Sequence, residues 1–217
     1  MAMLRKRLSL LWLCGMLIIV LLSGGCGRKK PQITELPAPG EVVEVKEERI
    51  DPKFAADLEV VKKTMAKERL SGAPTILVVR KQSRTMSVFQ GTKPIKKYQV
   101  VLGHDPRNDK IMQGDKCTPE GVYRVVSKSP HRKWHKFILL DYPTTENWLK
   151  FARAKQLGQI PWDAKIGGDI GIHGTDDELK NLLRENWTEG CIALRNGDIE
   201  EVYRLVYPGT VVVIQRR

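Results

Sequence analysis

Between Gly171 and Asn196 the chain reads GIHGTDDELKNLLRENWTEGCIALRN, a stretch with one histidine, His173, and one cysteine, Cys191. A fold that uses both side chains together must carry the chain out and back between them. Thr175 to Glu178 has the form of a capping box, in which the hydroxyl and the carboxylate satisfy each other's free backbone donors. Leu179, Leu182 and Leu183 follow at i, i+3 and i+4, one apolar face of a short helix. Asp176 and Asp177 suit the positive end of its dipole. The helix should fade near Asn186, and the chain returns through Trp187, Thr188 and Glu189 to Gly190 and Cys191.

A thiol is a poor nucleophile until it loses its proton, so a reactive cysteine usually has a basic partner. A neutral histidine takes such a proton near neutral pH. Gly190 lets the backbone pass close to a substrate, and successive amides at Gly190 and Cys191 could face a developing oxyanion. For an arbitrary pair the plainer reading is a buried structural thiol and a buried, hydrogen-bonded histidine.

A second run, Gly114 to Tyr123, reads GDKCTPEGVY. With it the His–Cys stretch resembles the YkuD-type L,D-transpeptidases, whose motif runs His, about fourteen to seventeen residues, Ser or Thr, His, Gly, Cys. Here residues 174–187 separate His173 from Thr188, and Thr188, Gly190 and Cys191 fall on the motif. The earlier run matches the family's GDxxTPEGxY. The resemblance covers about Pro74 to Gln215. It implies Cys191 as nucleophile, His173 as general base, the Gly174 carbonyl holding the imidazole in its useful tautomer, and the Gly190 amide in the oxyanion hole. It also implies attack on an amide carbonyl of a peptidoglycan stem peptide through a thioester, with no metal and no cofactor. An amine acceptor then gives a cross-link, and water gives hydrolysis. Glu189 replaces the family's second histidine, and Ala193 stands where an arginine is common, with Arg195 two residues on. The WTEGCIALRN run is closer to the YafK-like branch, some members of which are amidases that release a lipoprotein from peptidoglycan. Arg195, Thr188 and Trp187 are candidate substrate contacts, as are Lys116 and Tyr123.

The N-terminus reads as targeting. Arg5, Lys6 and Arg7 precede an apolar run from Leu8 to Leu22, short for a membrane span and suited to a secretory signal. Ser23-Gly24-Gly25-Cys26 resembles a bacterial lipobox with Ser23 in place of the usual leucine, which makes Cys26 the lipidation candidate. The alternative is an uncleaved anchor. Residues 27–50 are rich in proline and charge and read as an extended tether. Asp51-Pro52 starts a helix, with Phe54, Leu58, Val61 and Met65 on one face, a solvated lysine face opposite, and a stop near Gly72.

From Thr75 the texture turns to short β-rich runs: Ile76–Arg80, Thr85–Phe89, Lys97–Leu102, Val122–Val126, Phe137–Leu140, Ile170–His173 and Thr210–Ile214. Helices are expected over Thr145–Leu157 and over Ile199–Val206, the latter capped by Asn196 or Asp198. The expected fold is mostly β with helices, in family terms a YkuD-like β-sandwich over residues 74–217, behind a signal segment (1–26), a tether and the helix of 51–73.

Cys117 is the other exported thiol, and pairing with Cys191 would remove the nucleophile. His131 and His135 are four apart but lack a third ligand and sit in a basic loop leading into a strand. The net charge of +12 falls to about +9 without residues 1–25, a balance drawn to the carboxylates of peptidoglycan and to anionic membrane surfaces. Nucleic acid is excluded as partner for an exported chain with no such motif. The expected protein is therefore an envelope acyl-transferase on peptidoglycan, held at a membrane by an N-terminal anchor or lipid. The alternatives are an amidase or carboxypeptidase, or a catalytically silent peptidoglycan-binding lipoprotein.

Overall fold

Val211–Gln215 opens with four β-branched residues, Val211 to Ile214, all of them buried. In the computed structural model, in which residues 50–217 are described, this strand is β8 and lies at the centre of an eight-stranded sheet. The expected signal segment, Cys26 and most of the tether lie outside the described residues. The other elements are α1 (Pro52–Lys67), β1 (Thr75–Arg80), β2 (Thr85–Gln90), β3 (Lys93–Gln99), β4 (Gly121–His131), β5 (His135–Leu140), α2 (Thr145–Gln156), β6 (Gly171–His173), α3 (Glu178–Leu182), β7 (Ile192–Ala193) and α4 (Asn196–Leu205).

The strand order is β3-β2-β1-β8-β4-β5-β6-β7. β8 runs parallel to β1 (Val79↔Ile214) and antiparallel to β4 (Gly121↔Ile214). The first residues of β4 pair with β8, its later ones pair with β5, and the register shifts between Val125 and Ser127. A bulge at such a point bends the strand. The segment after β3, at one edge, then reaches the opposite edge, where Val101 and Ala193 of β7 exchange both backbone hydrogen bonds (2.9 Å each). The sheet is thus curled on itself as a half-barrel. The concave face holds the main core, with Leu77, Val79, Tyr123, Ile138, Ile172 and Ile192 from both halves. Ile76 and Val78 of β1 point the other way and pack with Phe89 against Phe54, Leu58 and Val61 of α1.

Several elements differ from expectation for identifiable reasons. β3 starts at Lys93, after a two-residue turn, and includes Pro94; as the outermost strand it tolerates a residue without an N–H. α1 ends at Lys67 instead of near Gly72. Leu70 N–H reaches Met65 O (2.9 Å) and Arg69 N–H reaches Ala66 O (3.3 Å), with Arg69 at φ +52°; this is a Schellman closure. α1 also buries Asp57, whose carboxylate accepts from Arg80 Nε (2.6 Å) and Ser87 Oγ (2.5 Å) and pairs with Lys97 Nζ (2.9 Å).

α3 is only five residues long, and its cap is Asp177 rather than Thr175. Thr175 Oγ1 accepts from Asp177 N–H (2.9 Å), and Glu178 turns to the Asn196 N–H (2.7 Å), so no capping box forms. Its leucine face is not packed: Leu179, Leu182 and Leu183 are each more than half exposed. α4 starts at Asn196 with Arg195 in the cap position and no side-chain cap bond.

Candidate active site

β6 and β7 are parallel neighbours, with Ile172 opposite Ile192 and His173 opposite Ala193. Cys191 immediately precedes β7 and so lies beside Gly171. Side chains two apart on a strand share a face. His173 and Cys191 therefore stand on one face of this strand pair, while Ile172 and Ile192 are fully buried in the core behind it.

The thiol is half-buried and held by backbone alone. Gly171 N–H points at Cys191 Sγ (3.4 Å), and Sγ–H points at Asp169 O (3.6 Å). Gly171 is there because nothing larger fits: a Cβ would lie 2.5 Å from the Phe137 ring and 2.7 Å from Ile138 O. Burial pushes the thiol up to about 11, against the pull of the Gly171 N–H.

His173 is almost fully buried. Its Nδ1 lies 2.6 Å from Gly174 O. A carbonyl can only accept, so Nδ1 carries the proton and Nε2 of the neutral ring is the free base. The ring stacks on Trp134 (4.5 Å, 21°) and Phe137 (5.8 Å, 12°) and meets Trp187 edge-on (5.7 Å, 63°). This casing pushes the imidazole down to about 4 through burial, with the Gly174 carbonyl opposing. Burial thus disfavours the charged form of both groups.

The two sequence motifs meet here. Gly190 has φ +140°, and a Cβ on it would lie 2.7 Å from Cys117 O, so the GDKCTPEGVY run passes its backbone directly against the cysteine loop. Isolated bridges Gly103↔Thr188 and Asp105↔Cys117 join the same segments. Within the run, the Asp115 carboxylate accepts from Lys110 Nζ and from the amides of Ile111, Met112 and Cys117 at 2.7–3.0 Å. Fully buried Lys81 donates to Asn108 O (2.5 Å) and Thr118 O (2.8 Å) and pairs with Glu120 (3.0 Å). The run braces the site.

The other residues singled out from the sequence take the following places. Thr188 is buried, and its hydroxyl is fully engaged: it donates to Cys191 O (2.7 Å) and accepts the Gly190 N–H (3.2 Å). It braces the loop, and the Gly190 amide that was expected to face an oxyanion points inward to it. Trp187 donates to Asn181 Oδ1 (2.8 Å) and walls the imidazole. Arg195 is exposed, with Nε on Asp198 (2.8 Å). Tyr123 is core, its hydroxyl between Glu120 O and Asn147. Glu189 is exposed on the rim, 3.9 Å from His104 and 4.0 Å from Lys116. Cys117 is buried and unpaired, with its thiol pushed up to about 12 by burial and then by Asp115. His131 and His135 face each other across the end of the β4–β5 hairpin; His131 stacks on Trp134 (4.6 Å) and His135 meets Glu200 (2.8 Å).

Four contributors were not anticipated. Trp134 and Phe137 stack on the His173 ring, and Gly171 lies against the Cys191 thiol. Asn196 clamps the chain just after His173, with Oδ1 on Thr175 N–H and Nδ2 on Thr175 O, 2.9 Å each. The aromatic residues in SPHRKWHKF were the available signal for the first two.

Fold and site together define a curled, mostly-sheet domain that presents a thiol and an encased imidazole on adjoining strands. The L,D-transpeptidase catalytic domain, YkuD, matches residues 74–214, and the chain belongs to this family. The helical cell shape determining protein Pgp2 from Campylobacter jejuni superposes with a TM-score of 0.52 at 21% identity, over 68% of this chain and 49% of that one. Bdellovibrio bacteriovorus Bd1075 superposes at 0.47 and 20% identity, over 66% and 48%. The chain thus spans about half the length of these solved structures, and the first shares its fold. A comparison with curated proteins returned no match.

Proposed function

We propose that the protein is a cell-envelope cysteine acyl-transferase that cuts an amide in a peptidoglycan stem peptide through a thioester on Cys191. The observation that carries this is the β6–β7 register, which sets the thiol and the imidazole on one face. His173 Nε2 takes the thiol proton as Sγ bonds to the carbonyl carbon; the amine then leaves with that proton. The Gly171 N–H steadies the sulfur as charge develops on it. The Gly174 carbonyl holds the proton on Nδ1 and so leaves Nε2 as the free base. A second amine closes the cycle as a cross-link, and water closes it as hydrolysis. The sequence favours the YafK-like branch, in which release of attached protein is the hydrolytic form. Export through the N-terminal signal and lipidation at Cys26 would hold the domain at a membrane next to its substrate.

The test is mass spectrometry of purified peptidoglycan fragments incubated with the full-length chain, wild type beside Cys191→Ala. Cross-linked or exchanged stem peptides from the wild type alone establish the transpeptidase. Shortened products without cross-links establish the hydrolase. No Cys191-dependent product on any fragment refutes the reading and leaves a silent wall-binding protein.

A further inference from the structure

A groove of about 990 Å³ lies apart from the thiol, lined by Arg84, Arg107, Arg216 and Arg217 with Asn186 in its wall and buried Lys81 at its base. Among the described residues, no Asp or Glu side chain lines it. Lys81 is matched by Glu120 at 3.0 Å. Among the described residues, none of the four arginines lies within ion-pair range of an acid, although the chain's other ion pairs are numerous. The guanidinium groups come from three distant segments whose backbones are fixed. Gln82 N–H donates to Arg216 O (2.9 Å), and Arg107 N–H donates to Asp105 Oδ1 (3.0 Å). Arg84 Nη1 donates to Arg184 O (2.6 Å), while Arg184 Nη2 donates to Ser83 O (2.7 Å).

Converging like charges repel, and a concave surface of one sign concentrates the field on whatever enters it. The planar fork of arginine suits oxyanions of carboxylate or phosphate geometry. Two features favour a wall polymer over a lipid surface. A surface that inserts into a bilayer adds large apolar side chains to its cations, and the exposed Trp148, Leu149, Trp162 and α3 leucines do not line this groove. The groove wall also belongs to the segment that delivers the nucleophile: Asn186 Oδ1 accepts from Leu102 N–H (3.0 Å), and the chain runs on from it to Cys191. We propose that this groove binds a carboxylate-bearing strand of peptidoglycan beyond the stem peptide that reacts. The proposal rests on peptidoglycan being the substrate.

The experiment is co-sedimentation of the full-length chain with purified peptidoglycan sacculi at low salt, in a Cys191→Ala background so that nothing is turned over. Arg107→Gln with Arg216→Gln should weaken binding about tenfold. The paired Arg→Lys changes should recover much of it, which a folding defect would not. Arg84 is left intact because it ties two loops together. Vesicles of equal phosphatidylcholine and phosphatidylglycerol form the parallel arm. Sacculus binding that ignores the Gln pair overturns the proposal. So does a loss seen on vesicles alone, which makes the groove a membrane surface, or an equal loss on both, which makes it an unselective anion surface. If wild-type protein turns over no fragment but sacculus binding still needs the arginines, the proposed reaction falls and the groove stands.

Discussion

At the scale of single residues, the site is defined by what encloses His173 and Cys191. The sequence named both, and it named Gly174, whose carbonyl oxygen lies 2.6 Å from Nδ1. It was silent on Trp134 and Phe137, because aromatic stacking across a hairpin leaves no spacing signal near the histidine. The enclosure has a consequence for stability. His173 has an ordinary value of 6.5 and stands at about 4 in the fold. The unfolded chain binds this proton more readily than the folded one, so the contribution is complete above pH 6.5 and is lost as pH falls from there toward 4. The gap corresponds to about 3 kcal/mol. Thermal midpoints between pH 7 and pH 4 should fall steeply in the wild type and less in His173→Gln; equal slopes would contradict the assignment. The thiol gives a second expectation. Burial holds Cys191 at about 11, so its alkylation by iodoacetamide should rise about tenfold per pH unit through pH 7–9, as for a thiolate formed only in trace amounts. A rate flat over that range would mean a standing thiolate–imidazolium pair.

At the scale of elements, legibility followed how locally each one is determined. Val211–Gln215 and Thr145–Gln156 came close to expectation because burial and helical spacing lie within their own residues. α3 did not, since the partners of Thr175 and Glu178 are chosen by Asn196 and Asp177 and not by the capping pattern. α1 was legible on its apolar side. The buried carboxylate on that side was not, because its partners Arg80, Ser87 and Lys97 belong to three strands. Removing Asp57 leaves two cations facing a buried surface, a loss of the order of 3–5 kcal/mol. Asp57→Ala should therefore loosen α1 from the sheet, seen as faster amide exchange over Pro52–Lys67, while Cys191 alkylation is unchanged because the thiol lies on the other half of the sheet. Protection of α1 equal to wild type would show that Phe54, Leu58 and Val61 suffice to hold the helix.

At the scale of the whole molecule, strand content and the meeting of two motifs were legible, but the curl was not. It depends on a bulge in β4 and on Val101 reaching Ala193, pairings between residues far apart in the chain that no local pattern encodes. The curl makes the reactive face a property of the entire sheet. The Thr188–Cys191 loop leans on the Gly103–Cys117 segments, those are tied through Lys81 to the end of β1, and within the sheet β8 joins β1 to β4. If this chain of supports is one cooperative unit, the site cannot melt before the sheet. Ile214 tests it: the side chain is buried on the central strand β8, between Val79 of β1 and Gly121 of β4. Ile214→Ala should cost about 2–4 kcal/mol without touching the thiol or the imidazole. Urea unfolding of the full-length chain can be followed by far-ultraviolet circular dichroism, which reports the sheet, and by tryptophan fluorescence, in which Trp134 and Trp187 report the casing of His173. Both midpoints should move down together, with the denaturant slope unchanged. A fluorescence transition that stays in place while the dichroism shifts would mean that the site half of the sheet holds its shape without β8, and that the curl is two units joined at β4.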